Sequence, residues 1–255
     1  MPDAVVDIGN SRIKFCRVAD HKLTLPVRAV AADDLAGWER IATEWDFGPG
    51  KSWAVASTDA GRRDQFVAWV QSRGESAIVI DAPRKVPIGV SVDEPDRVGV
   101  DRLLSAVAVK ATNPPGQPAI IVSAGTAVTV DLLHEQGSFA GGAIFPGLRL
   151  MALAMKEHTA ALPLVDASGE MPDGPPGKST VAAMKLGILH AVAGGIDSVI
   201  RETASRCTSA PFLFLTGGDM TPQLAGLIQS RHQFRSEIRP ALTLEGILRT
   251  AEYLA

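Results

Sequence analysis

Residues 120–147 constrain the fold most, because glycine turns interrupt strand-forming sequence twice within this stretch. A β-branched run stops at Gly125, resumes at Ala127 and closes at Asp131, which predicts a strand, a glycine turn and a returning strand. Backbone N–H groups and the Thr126 hydroxyl at such a turn can hold an anion at the sheet edge. The same residues also suit an ordinary, tightly packed hairpin, and a short glycine motif alone does not separate the two interpretations.

The N-terminus repeats this pattern. Residues 6–11, Val-Asp-Ile-Gly-Asn-Ser, align with residues 122–127, Val-Ser-Ala-Gly-Thr-Ala, as expected of a duplicated domain. Asp7 offers a carboxylate for a hydrated Mg²⁺, and Gly9 admits phosphate oxygens to the backbone. Side chains that could donate hydrogen bonds to those oxygens follow at Asn10, Ser11 and Lys14. A simple Asn-Ser hairpin turn is the competing interpretation.

The order of the predicted elements indicates an α/β fold. A three-stranded meander is followed by alternating strands and helices, among them an amphipathic helix at residues 64–74. The Pro- and Gly-containing segment 112–118 is the predicted linker, because it suits no regular structure. It separates two predicted domains of similar length, residues 1–113 and 119–255.

Composition excludes several classes of protein. The chain is 46% hydrophobic and 21% charged, as in a globular protein with a sizeable core, and its net charge of −3 favours neither a nucleic-acid nor a membrane partner. The densest cationic cluster, Arg62-Arg63, is predicted on an exposed helix face. Cys16 and Cys207 lack metal-site spacing and fit free thiols. No leader and no apolar run long enough to cross a bilayer are predicted, so we expect a cytoplasmic protein.

A second polar motif, Gly99-Val100-Asp101-Arg102, opens a predicted helix that runs to about residue 111. Asp101 could simply cap this helix, because an acid at a helix N-terminus is stabilised by the dipole. Alternatively, Asp101 could take the proton of a substrate hydroxyl while Arg102 holds a carboxylate. The position alone leaves both roles open.

The second half carries three further candidate features. The Pro/Gly-rich loop at residues 169–177 could close over a site. Ser179 and Thr180 are most simply caps of the long helix that follows, although their hydroxyls could also bind a ligand. The motif at residues 216–219, Thr-Gly-Gly-Asp, is a strand-to-helix turn suited to one edge of a nucleotide.

Taken together and in this order, the motifs resemble the type III pantothenate kinases. The resemblance covers effectively the whole chain. It implies two ribonuclease-H-like domains of the actin-like ATPase and sugar-kinase superfamily, with a nucleotide cleft between them. It also implies a homodimer that uses ATP to phosphorylate pantothenate to 4′-phosphopantothenate, the first step toward coenzyme A.

The resemblance implies a role for each motif. Positions that bind ATP in the family correspond to Asp7, Ile8, Gly9, Asn10, Ser11, Arg12, Ile13, Lys14 and Thr126. Positions that bind pantothenate correspond to Gly99, Val100, Asp101, Arg102 and Thr180. Asp101 then acts as the catalytic base, and Asp7 holds Mg²⁺ through water.

Two positions depart from the family pattern. Family members usually carry an acid before the central glycine hairpin, which helps to hold K⁺ or NH₄⁺, whereas this chain has Ser123. An aromatic residue that often lines the pantothenate pocket is replaced by Val92. Because the base and the phosphate turns are retained, we predict that activity survives with an altered cation requirement or substrate affinity.

Three alternatives belong to other functional classes or substrates. The first is a catalytically weakened homologue that acts as a regulatory or transcription-accessory protein, which the loss of charge at Ser123 favours. The second is another small-molecule kinase on the same fold. The third is an actin-like or chaperone-like ATPase module, against which the short length of 255 residues argues.

Overall fold

The computed structural model describes all 255 residues, which form two compact units. Unit 1 comprises Met1–Thr112 and Ala241–Ala255, and unit 2 comprises Asn113–Pro240. Each unit contains one sheet and the helices that pack on it, so the predicted α/β class is confirmed.

The first 112 residues form six strands and three helices: β1 (Ala4–Ile8), β2 (Arg12–Ala19), β3 (Lys22–Ala31), α1 (Leu35–Glu44), β4 (Ser52–Ser57), α2 (Ala60–Ser72), β5 (Ser76–Ile80), β6 (Gly89–Val90) and α3 (Val100–Lys110). Unit 2 contains β7 (Ala119–Ala124), β8 (Ala127–Leu133), β9 (Ser138–Pro146), α4 (Leu148–Glu157), α5 (Thr180–Ala204), β10 (Phe212–Thr216), α6 (Pro222–Arg231) and β11 (Ser236–Ile238). The last helix is α7 (Leu242–Leu254). Short 3₁₀ helices at Pro83–Lys85 and Pro95–Arg97 precede α3.

The two sheets share one topology. In unit 1 the strand order is β3-β2-β1-β4-β5, and in unit 2 the order β9-β8-β7-β10-β11 repeats it. In each sheet the first strand pairs antiparallel with its hairpin partner and parallel with the strand on its other side. The internal duplication predicted from the two glycine hairpins is therefore present in the fold.

The two cores differ in composition. Unit 1 is built around aromatic side chains, with Trp53 in contact distance of both Phe15 and Phe66. The core of unit 2 is mainly aliphatic and is contributed largely by β7, β10 and α5. All four tryptophans of the chain, Trp38, Trp45, Trp53 and Trp69, lie in unit 1. Tryptophan fluorescence therefore reports on unit 1.

The predicted second domain, 119–255, is wrong at its C-terminal end, because α7 belongs to unit 1. The apolar face of α7 is buried against α3 and the first sheet. The Ser105 and Thr243 hydroxyls lie 3.1 Å apart across the two helices. A Cβ atom at Gly246 would overlap the carbonyl oxygen of Leu104, so glycine allows the two backbones to approach closely.

Helix α2 begins earlier than the start of the predicted range, residues 64–74. Its first residue is Ala60, because the Asp59 side chain accepts a hydrogen bond from the Arg62 N–H at 3.1 Å and caps the helix. This extra turn carries Arg62 to the end of the first hairpin. The prediction that Arg62 lies on an exposed helix face is therefore wrong.

Helix α5 also differs from expectation. Its 25 residues include a window of mean hydropathy 1.3, which is long and apolar enough to cross a membrane by length and composition alone. The prediction that no apolar run reaches this length is therefore wrong. Eight of its side chains are buried within unit 2, as in a core helix of a globular unit.

Gly246→Ala tests the close contact between α3 and α7. The added methyl group has no space against the α3 backbone, so we expect a loss of about 1–3 kcal/mol in the free energy of unfolding of unit 1. Denaturant titration followed by tryptophan fluorescence measures it. Gly61→Ala at an exposed position of α2 in unit 1, where the nearest atom would lie 3.5 Å from the added Cβ, is the control and should be neutral or slightly stabilising. Equal stability of the two variants would contradict the packing described here.

Candidate active site

The end of β1 places a carboxylate opposite a cation. Asp7 pairs in register with Lys14 on β2, so both side chains lie on the same face of the sheet. Burial raises the pKa of Asp7 to about 6; Lys14 lowers it, and the negative charge of Asp101 raises it further. The Asp7 carboxylate is therefore poorly hydrated, and a bound cation would offset the free-energy cost of its negative charge.

The turn after Asp7 presents backbone rather than apolar side chains. Ile8 and Ile13 are fully buried, so these two predicted ATP-binding residues can offer only main-chain atoms. The Gly9 N–H donates to the Arg12 carbonyl at 3.1 Å and closes the hairpin, which leaves Asn10 exposed at its tip. This geometry is that of a turn whose backbone N–H groups can bind an anion.

The start of α3 orients Asp101. Gly99 is the N-cap position, and the Asp101 carboxyl group accepts hydrogen bonds from its own backbone N–H and from that of Arg102. A Cβ at Gly99 would lie 2.7 Å from Asp101 Oδ1, so the glycine leaves room for this conformation. Val100 is buried in the core, whereas Arg102 is half-buried beside the carboxylate.

Asp101 combines accessibility with poor hydration. The residue is exposed, so a ligand can reach it, yet surrounding protein displaces bulk water and raises its pKa. The backbone amides and the Arg102 charge oppose this rise. The charge of Asp101 acts on Asp7, so the hairpin and the α3 motif lie in the same part of unit 1.

The repeated hairpin lies in unit 2. Ser123 is half-buried on β7, opposite Thr129 on β8 and beside Thr216 on β10. Thr126 is exposed at the turn, and its carbonyl accepts from the Gly147 N–H at 3.0 Å.

Glycines bring other backbones close to this turn. A Cβ at Gly147 would overlap the Gly125 carbonyl, and one at Gly217, where φ is +106°, would overlap Ala124. The Asp219 N–H donates to the Ala124 carbonyl at 2.9 Å. The motif at residues 216–219 therefore packs directly against the second hairpin.

Thr180 is the first residue of α5. The cap is Ser179, whose side chain accepts from the Ala182 N–H at 3.1 Å, so the Thr180 hydroxyl is exposed and is not used as the cap. In the preceding loop, Asp166 accepts hydrogen bonds from the backbones of Ser168 and Gly169.

The donor set suits a hydrated magnesium ion better than a protein-encased metal. The chain contains no cluster of three or more His, Cys, Asp or Glu side chains that could hold a metal. Mg²⁺ usually keeps several waters and binds one or two carboxylates together with phosphates. A poorly hydrated carboxylate at Asp7, beside a turn that can meet phosphate, fits that coordination.

Three residues that the sequence analysis missed support the first hairpin. Ser57 ends β4, which runs parallel to β1, and its hydroxyl lies 3.0 Å from the Ile8 carbonyl. Asp59 caps α2, and Arg62 donates to the Asn10 carbonyl at 2.6 Å. The sequence signal was a Ser-x-Asp pair directly after a buried strand, since such residues cap helices.

Comparisons with solved structures identify the fold class. The chain superimposes on the activator of the 2-hydroxyisocaproyl-CoA dehydratase from Clostridium difficile with bound ADPNP, with a TM-score of 0.59, 13% identity and coverage of 99% of this chain and 94% of that one. An archaeal actin homologue gives a TM-score of 0.54 at 12% identity, covering 99% and 100%. At such identities the likeness shows the fold alone, that of actin-like ATPases and sugar kinases.

Sequence comparison then defines the family. The type III pantothenate kinase family model matches residues 4–202, and the chain belongs to this family. The type III pantothenate kinase of Rhodopirellula baltica is 45% identical over 138 residues, which are 52% of this chain and 48% of the relative. That of Moorella thermoacetica is 34% identical over 174 residues, 68% and 65% of the two chains. The match thus spans from about half to just under two thirds of these relatives' lengths.

Asp7→Asn tests the cost of the charge at Asp7. Because the folded-state pKa is raised from 3.8 to about 6, the folded protein holds its proton more tightly, and stability falls as pH rises through about 6. We expect the variant without ligands to be more stable than the parent by about 1–3 kcal/mol at pH 8 and equal to it below pH 4. Thermal melts across pH 3.5–8 measure this difference. A variant that is less stable than the parent at pH 8 would contradict the raised pKa.

Proposed function

We propose that this protein transfers the γ-phosphoryl group of ATP to pantothenate and forms 4′-phosphopantothenate, the first step toward coenzyme A. The observation that carries the proposal is the convergence of Asp7 and Asp101 in unit 1, in a chain of the type III pantothenate kinase family. Phosphoryl transfer depends mainly on positioning and charge neutralisation, and these two carboxylates suit those tasks.

The hairpin at residues 7–14 binds the phosphates of ATP. Its turn amides and the Lys14 ammonium group face the negative phosphate oxygens. Asp7 holds the Mg²⁺ that accompanies ATP through coordinated water. When bound, this ion supplies positive charge against the phosphates.

Asp101 takes the proton of the pantothenate primary alcohol. Its raised pKa makes it a better proton acceptor than an ordinary surface aspartate, and the α3 amides fix its orientation. Arg102 binds the pantothenate carboxylate, for which a guanidinium fork is well matched. Gly99 and Val100 offer this substrate their main-chain atoms, because the Val100 side chain is buried, and the Thr180 hydroxyl is a further proposed contact.

Ser123 alters the site for a monovalent cation. Its oxygen can coordinate weakly but adds no charge, so we propose that K⁺ or NH₄⁺ stimulates this enzyme less than a carboxylate at the same position would allow.

The surface of unit 2 favours a homodimer. Five of the large exposed hydrophobic side chains lie between β9 and the start of α5: Ile144, Leu150, Leu153, Leu164 and Val181. Exposed apolar side chains of this kind occur at protein–protein interfaces. We therefore propose that two copies of the chain associate through unit 2. Free thiols at Cys16 and Cys207 fit a reducing compartment such as the cytoplasm.

Coupled ADP release tests the proposed reaction directly. With ATP, Mg²⁺ and pantothenate we expect turnover, and Asp101→Ala should lower kcat by about 10²–10⁴-fold because the base is removed. Asp64→Ala, which removes an exposed carboxylate from α2, is the control and should retain activity. Repeating the assay in sodium, potassium and ammonium salts measures the effect of Ser123.

The outcome separates the two functional classes. Pantothenate-dependent turnover that collapses only in Asp101→Ala supports the kinase. ATP binding without turnover in any salt would overturn it and favour the regulatory or transcription-accessory homologue.

A further inference from the structure

Arg62 lies against the turn that the proposed function assigns to the ATP phosphates. Its Nη1 atom donates to the Asn10 carbonyl at 2.6 Å and lies 3.4 Å from the Gly9 carbonyl. Its Nε atom is 3.7 Å from Asp59 Oδ2, so the guanidinium group also forms an ion pair with the residue that caps α2. A hydrogen bond from a charged donor to a carbonyl is stronger than one between neutral groups.

These contacts determine the direction of the turn amides. In a trans peptide the C=O and the following N–H point in opposite directions. Because Arg62 attracts the Gly9 and Asn10 carbonyls, the N–H groups of Asn10 and Ser11 are turned away from it. The Asn10 N–H donates to no other group of the chain and is available to an anion.

A second contact fixes the same end of β1. The Ser57 hydroxyl bridges the Ile8 carbonyl at 3.0 Å and the Asp59 backbone at 2.9 Å. The ends of two parallel strands and the start of α2 are thereby joined around one turn.

We propose that Arg62 is a positioning residue, which acts through the Gly9 and Asn10 carbonyls to aim the turn amides at the nucleotide phosphates. This inference rests on the proposed function. Its effect is confined to the phosphates, since every contact of Arg62 described above is with the turn or with Asp59.

The neighbouring Arg63 provides a matched control. It carries the same charge on the same helix turn, but its guanidinium group pairs with Asp64 at 2.7 Å and with Asp81 at 3.7 Å. Removing either arginine changes the net charge equally. Only the Arg62 variant removes a contact with the turn.

Calorimetric titration compares the binding of AMPPNP and of adenosine to the parent, Arg62→Ala, Arg62→Lys and Arg63→Ala. We expect Arg62→Ala to weaken AMPPNP binding about tenfold or more and to leave adenosine binding unchanged. Arg62→Lys should recover part of the loss, because an ammonium group can hold one carbonyl. Equal AMPPNP affinity in Arg62→Ala and Arg63→Ala, or an equal loss of adenosine binding, would overturn the proposal.

Amide spectra separate this inference from the proposed function. In the protein without nucleotide, Arg62→Ala should shift the ¹H–¹⁵N resonances of Asn10 and Ser11, whereas Arg63→Ala should not. Unchanged turn amides would overturn the positioning role. If the parent failed to bind AMPPNP, the proposed function would fail while the spectra still tested the role of Arg62. Should Arg62→Ala not fold, as monitored by tryptophan fluorescence, Arg62→Lys provides the same comparisons.

Discussion

The structure depends on a strand that pairs antiparallel on one side and parallel on the other. In unit 1 this strand is β1, and its pairing with β2 puts Lys14 opposite Asp7. Its pairing with β4 brings Ser57 to Ile8 and thereby leads α2 toward the turn. A polar site results because the strand ends where three backbone segments meet.

The same arrangement lowers the stability of the folded protein when Asp7 is ionised. Protein surrounds Asp7, so ionising it costs free energy that Lys14 only partly offsets, and the nearby charge of Asp101 adds to that cost. A bound cation would offset the negative charge of both carboxylates. Stability of the folded protein and affinity for a cation are therefore opposed at this point.

Local patterns predicted much of the fold and of the candidate site. A glycine turn between apolar strands specifies a hairpin with little help from the rest of the chain, so both hairpins were predictable, as was the helix start beside Asp101. The return of α7 to unit 1 was not, because it depends on the long-range contact between Gly246 and α3. The role of Arg62 was missed because the α2 cap at Asp59 and the parallel pairing of β4 place it at the turn, and neither is a local pattern.

Direct titration of Asp7 tests its electrostatic interaction with Asp101. Carboxyl ¹³C NMR of the protein with labelled aspartate would follow Asp7 in the parent and in Asp101→Asn. We predict a pKa of about 6 for Asp7 in the parent and a lower value in the variant, because a like charge has been removed. An Asp7 that titrates near 4 in the parent, or whose pKa is unaffected by the substitution, would contradict it.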